Sequence, residues 1–123
     1  MNALLKAKSA YSAAKAPTRT AKNFEYEVIA RVTRRLIAAA QKGRNGFTEL
    51  AAALNDNRKL WSIFSADLAS KGNPLPDELK LSLFELAEFT RQHTSQVLQR
   101  KADVRPLVEI NTAIMRGLRG GAS

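Results

Sequence analysis

One histidine, His93, and no cysteine are the chain's whole stock of imidazole and thiol. A metal site needs at least two further ligands at set spacing, and none accompanies His93, so it is expected on the surface or half-buried side of a helix. Without cysteine there is no thiolate nucleophile, disulfide framework, zinc finger or Fe–S cluster. Glu85 and Glu88 stand three apart, neighbours on one helix face. Paired carboxylates act as general acid and base only where a cleft pushes their pKa values apart. Nothing around this pair suggests a cleft, and a solvated helix face explains it. The phosphate-cradling patterns G-x-G-x-x-G and G-x-x-x-x-G-K-[ST] are missing, as is the nucleophile pattern G-x-S-x-G. The residues argue against an enzyme and call for no metal or cofactor.

Arg31, Arg34, Arg35, Lys42 and Arg44 form a basic set beside a glycine turn, and Thr48-Glu-Leu-Ala-Ala-Ala-Leu-Asn55 follows it. That rhythm resembles helix–turn–helix DNA-binding modules, with phosphate neutralisation supplying affinity. Against it, residues 46–57 hold no Lys or Arg, and Leu60, Trp61 and Phe64 recur at core spacing where bases would be read. Asn55-Asp56-Asn57 replaces the glycine that such turns often use. A solvated basic face on a bundle helix is the simpler reading, and binding of nucleic acid through residues 31–44 is the alternative.

These residues must be carried by one domain of 123 residues with a net charge of +9. A chain this long buries roughly two-thirds of its unfolded surface, enough for one core. Its 20 Ala and 15 Leu, against 6 Gly and 4 Pro, favour helix over sheet. Residues 1–44 hold ten Lys/Arg against Glu25 and Glu27, whereas residues 45–99 hold five against seven acids. An electrostatic partner is therefore expected at the N-terminal third. No apolar run is longer than Leu36 to Ala40, far short of the ~20 residues of a spanning helix. The first 20 residues lack the apolar stretch of a secretory signal. No membrane contact is expected, and the expected location is cytoplasmic. Residues 1–24 are basic, Ala/Ser-rich and free of acid, as in a transit peptide, yet Leu4, Ala7, Tyr11 and Ala14 fall on one helical face and favour a docking helix.

Along the chain the apolar spacing is helical, with no strand-like alternation. An amphipathic helix is expected over residues 2–15, ended by Pro17. Asn23 is placed to cap a helix from Phe24 to about Lys42, with Phe24, Val28, Val32, Leu36, Ala39 and Ala40 inward. Gly43 fits a left-handed helix end. Thr48 can cap the next helix, in which Asn55-Asp56-Asn57 is either a break or a bend. Leu60, Trp61, Phe64 and Leu68 then continue to Gly72. Gly72-Asn73-Pro74-Leu75-Pro76 cannot be helical throughout, and Pro76 with Asp77 and Glu78 is a start signal. The helix that follows runs to about Lys101, and Leu81, Phe84 and Phe89 widen its apolar face enough to make it central. A last helix spans about Val104 to Arg116, with Gly117 as its stop. The expected architecture is all-α, a single-domain bundle of five to six helices. Trp61, Phe64, Phe84 and Phe89 are its heavy core residues.

Three local patterns go beyond what packing requires: Ala53-Leu54 with Asn57-Arg58-Lys-Leu60-Trp61; Asn73-Pro-Leu75-Pro76-x-x-Leu79; and Pro106-Leu107-x-x-Ile110-Asn111-x-x-Ile114-Met115-x-Gly117-Leu118. In this order and spacing the chain resembles the flagellar biosynthesis regulator FlaF family of alphaproteobacteria, over about residues 9–118. The chain is thus expected to comprise an N-terminal amphipathic or mobile helix at 1–17, a FlaF-like bundle at 18–118 and a frayed tail at 119–123. The resemblance implies a non-enzymatic role in flagellum assembly, controlling flagellin production after transcription together with the regulator FlbT. It also implies chaperone-like contact with flagellin, so flagellin and FlbT are the implied partners.

The resemblance carries no catalytic residue. Its recurrent positions are Asn57, Arg58, Leu60, Trp61, Asn73, Leu75, Pro76, Leu107, Asn111 and Gly117. Asn57 and Asn73 read as capping or turn residues, Trp61 and Leu107 as core, and Gly117 as a helix stop. Arg58 and Asn111 are either partner contacts or internal hydrogen-bonding groups. Leu4 and Tyr11 belong to a stripe that docks on the chain's own bundle, on a second copy or on the partner.

Overall fold

The computed structural model describes residues 26–122, and every regular element among them is helical. Helix α1, Tyr26–Gln41, buries Ile29, Val32, Leu36 and Ala39 at i, i+3, i+7 and i+10. Its inward face is turned slightly from the expected one. Ala30 and Thr33 are buried and Ala40 is exposed, with the Thr33 hydroxyl donating to the Ile29 carbonyl at 2.7 Å. The cap expected at Asn23 and the helix expected at 2–15 lie outside the described residues.

After α1 the backbone reverses at Gly43, whose φ of +65° is the left-handed conformation that favours glycine. A 3-10 turn, Gly43–Gly46, leads directly into α2, Phe47–Ala69. Gly46 is fixed by space: a Cβ there would sit 2.6 Å from the Ala39 carbonyl oxygen and from the Lys42 Cβ. Thr48, expected as a cap, lies inside α2, which starts one residue earlier.

Helix α2 is continuous for 23 residues. The expected break at Asn55-Asp56-Asn57 does not occur: two of the three competing side-chain acceptors are engaged elsewhere. Asp56 pairs with Arg35 of α1, and the Asn57 carboxamide oxygen accepts from Asn111. Freed from local competition, the backbone keeps its helical bonds. This joins two expected helices into one and corrects the architecture to four α-helices among the described residues.

The α2–α3 turn is built on Asn73. Its amide donates to the Asp67 carbonyl at 3.2 Å, and its side-chain oxygen accepts the Leu75 N–H at 3.0 Å. Pro76 stands in extended conformation just before α3, Asp77–Leu98, with Asp77 and Glu78 in the first turn. The helix ends at Leu98, short of Lys101, in a Schellman arrangement. Arg100 N–H bonds to the Val97 carbonyl and Lys101 N–H to the Gln96 carbonyl, both at 2.9 Å. Arg100 takes the left-handed position, φ +62°, and its guanidinium lies 4.3 Å over the Phe47 ring. Helix α4, Arg105–Ala122, runs straight through Gly117, which was expected to stop it. Gly117 is buried and Leu118 still packs on the core, so continuing the helix gains contact.

Consecutive helices run antiparallel around two apolar clusters. At one end Ile29 and Val32 of α1 meet Leu60, Trp61, Phe64 and Leu68 of α2, Leu79, Leu83 and Leu86 of α3, and Ile110 and Ile114 of α4. At the other end Leu36, Ala53, Leu54, Val97, Val104 and Leu107 close the bundle. Phe84 and Phe89 are outside both, 36% and 43% exposed. They are corrected from core to surface, and α3 is corrected from central to peripheral: its packing is mainly on α2.

Candidate functional site

On the outer side of the α2–α3 contact, the two helices leave a groove of about 410 Å³. Arg58, Trp61, Ser62 and Ser65 line it from α2; Phe84, Ala87, Glu88, Thr90 and Arg91 line it from α3. The spacing explains the walls. Residues 58, 61/62 and 65 recur once per turn of α2, and 84, 87/88 and 91 once per turn of α3. Trp61 is only 3% exposed and sets the floor, held by an edge-on contact with Phe64 at 5.5 Å between ring centres. Phe84 supplies an open apolar wall.

Two polar atoms in this groove lack a hydrogen-bond partner though buried: Arg58 Nε and Thr90 Oγ1. Thr90 is 2% exposed as a residue. Buried donors without acceptors cost about 1–3 kcal/mol each, and both of these can donate. The groove therefore suits a ligand that brings an apolar side chain for Trp61 and Phe84, with an acceptor oxygen for Arg58 once that side chain turns outward. Its rim is already charge-balanced. Glu88 accepts from Arg91 Nε at 3.1 Å, Arg91 Nη2 at 2.5 Å and Gln92 Nε2 at 2.8 Å. The Arg91 hydrogen bond, then that of Gln92, hold the Glu88 carboxyl below the ordinary carboxylate range, and the same Glu88 bond pushes Arg91 up. Both stay charged at neutral pH.

Asn111, the other residue read as contact or internal group, is internal. It is 0% exposed. Its side-chain oxygen accepts from Trp61 Nε1 at 3.0 Å, and its amide donates to Asn57 Oδ1 at 2.8 Å and Thr33 Oγ1 at 3.1 Å. This corrects its place among partner contacts: all three contacts join it to α1 and α2. Leu60, Trp61, Leu75 and Leu107 are core, and Asn73 and Pro76 shape a turn. Leu4 and Tyr11 lie outside the described residues.

The basic set is scattered in effect. Arg31 and Arg34 are exposed on α1, Arg35 pairs with Asp56 and Lys42 with Glu49. Arg44 lines, with Gly43, Phe47 and Arg100, a smaller hollow of about 240 Å³. His93 bonds the Asp103 carbonyl through Nε2 at 2.7 Å and stacks on Phe89. Among the described residues no group of three or more His, Cys, Asp or Glu is placed to hold a metal ion, and no helix is long and apolar enough to cross a membrane.

Sequence reading missed Phe84, Thr90 and Arg91 as site residues. Phe84 carried a usable signal: it is off the Leu79-Leu83-Leu86-Thr90 stripe by about a third of a turn. The family model described as Flagellar protein FlaF matches residues 7–118. No curated protein and no solved structure matches the chain.

Proposed function

The chain belongs to the FlaF family of flagellar proteins, and on that premise we propose that it is a non-enzymatic regulator of flagellum biogenesis that works by binding another protein. Its partner is flagellin, the regulator FlbT, or both, and binding adjusts flagellin synthesis and export after transcription in a chaperone-like way. The observation that supports a binding role best is the α2–α3 groove, in which buried unpartnered Arg58 Nε and Thr90 Oγ1 lie beside the exposed Phe84. An amphipathic helix laid in this groove supplies both things it lacks. An apolar side chain covers Trp61 and Phe84, and a carbonyl or carboxylate oxygen accepts from Arg58 once its side chain turns outward.

The test is titration of the purified chain with purified flagellin and, separately, with FlbT at moderate salt. Saturable binding to either is expected. No binding to either at ~100 μM, equivalent to only about −5.5 kcal/mol, overturns the proposal.

A further inference from the structure

Helix α3 shows solvent a face unlike the rest of this basic molecule. Opposite its buried stripe it carries Leu81, 61% exposed, and Phe84, 36% exposed. Around them stand Asp77, Glu78, Glu85 and Glu88, all exposed. The positive end of the helix accounts for Asp77 and Glu78 in the first turn. It does not account for Glu85 and Glu88, two turns and more further on. Among the described residues, Glu88 has Arg91 as ion partner, while Asp77, Glu78 and Glu85 have none. An apolar centre within a ring of carboxylates fits a basic amphipathic helix.

We infer that the occupant is this chain's own N-terminal segment, residues 2–15. Four observations converge on it. The segment carries Lys6, Lys8 and Lys15, and no acid occurs before Glu25. Leu4, Ala7, Tyr11 and Ala14 recur at helical spacing, giving an apolar stripe of ~15 Å at about 1.5 Å per residue. The acidic face from Asp77 to Glu88 has nearly the same length by the same rise. Finally, the geometry allows the reach. Ile29 and Val32, near the start of α1, share an apolar cluster with Leu79 and Leu83, near the start of α3. Residues 16–25 span up to ~35 Å when extended, against about 8–10 Å between packed helix axes. Tethering raises the effective concentration to the millimolar range, so a face too small to hold a free partner holds a linked one.

Phe84 belongs to this face and to the groove wall, so the docked segment is an own-chain competitor at that wall. That consequence rests on the reading of the groove given above, whereas the docking itself is read with no partner present. The absence of cysteine makes the test direct. A nitroxide placed through Ser9→Cys in the full chain should broaden amide signals on the outer face of α3, residues 77–88, and spare the exposed face of α1. The double variant Glu78→Lys/Glu85→Lys, remote from the core, should abolish the broadening, and adding Lys6→Glu/Lys8→Glu should restore it. Absence of broadening overturns the inference, as does broadening that charge reversal leaves unchanged. So does broadening that passes only between molecules in a mixture of spin-labelled and isotope-labelled chains, since it assigns the segment to a second copy.

Discussion

Asn111 shows how much one side chain can specify. It lies between the two apolar clusters, with Leu107 in one and Ile114 in the other, and ties α4 to α1 and α2. A polar layer between apolar layers penalises any slip of α4 along its neighbours, since a shifted register leaves Trp61 Nε1 and the Asn57 oxygen unpaired. Asn111→Ala is expected to cost about 3 kcal/mol through those orphaned groups and the cavity, read as a lowered midpoint in chemical denaturation. The two roles of Asn111 could not be separated in sequence because its partners lie 50, 54 and 78 positions away. Trp61 and Leu107 were legible as core, since their spacing alone put them on buried stripes. Arg58 is different again: its stem lines a groove and its Nε lacks a partner. Replacing it with Met keeps the stem and removes the unsatisfied donor, so the variant should be more stable than the parent chain by about 1 kcal/mol, read as a raised midpoint in chemical denaturation.

At the scale of elements, the turns were more legible than the helices they join. Gly43, Asn73 and Pro76 announced their turns by residue chemistry, and each sits in one. The prediction for α1–α2 is that Gly46→Ala destabilises by more than Gly43→Ala. The first forces a Cβ against the Ala39 carbonyl oxygen, a backbone atom that can move only with the helix. The second meets open space and bears only left-handed strain, about 1 kcal/mol. Thermal unfolding of both variants checks the order. In the α2–α3 turn, Asn73→Ala removes the bonds to the Asp67 carbonyl and the Leu75 amide and should cost about 1 kcal/mol, like the loss of a helix cap. Helix continuity was the illegible part. Asn55-Asp56-Asn57 and Gly117 carry local helix-breaking chemistry, and only tertiary partners override it. Arg35 and Asn111 do so for the first, and core packing of Leu118 for the second.

For the molecule as a whole, charge and shape point to different partners. The net charge of +9 invites nucleic acid, but Arg35 and Lys42 are engaged with Asp56 and Glu49. Within the set, Arg31, Arg34 and Arg44 are exposed and outside these ion pairs. Because Arg31 and Arg34 lie on α1, away from the groove, Arg31→Glu/Arg34→Glu is expected to leave flagellin and FlbT binding unchanged, and in a filter-binding assay with RNA to change the log–log salt slope by no more than about 2. The fold class was readable throughout from the 3.6-residue period, because every helix hides one stripe. The groove was not, because it depends on which turns of α2 face which turns of α3. The most direct test of the account compares the parent chain with Arg58→Met/Phe84→Ala, both shown to be folded by circular dichroism, in calorimetric titration against flagellin and against FlbT. The account predicts at least a tenfold loss of affinity for the partner that binds the parent chain. Affinity unchanged in the folded double variant contradicts it.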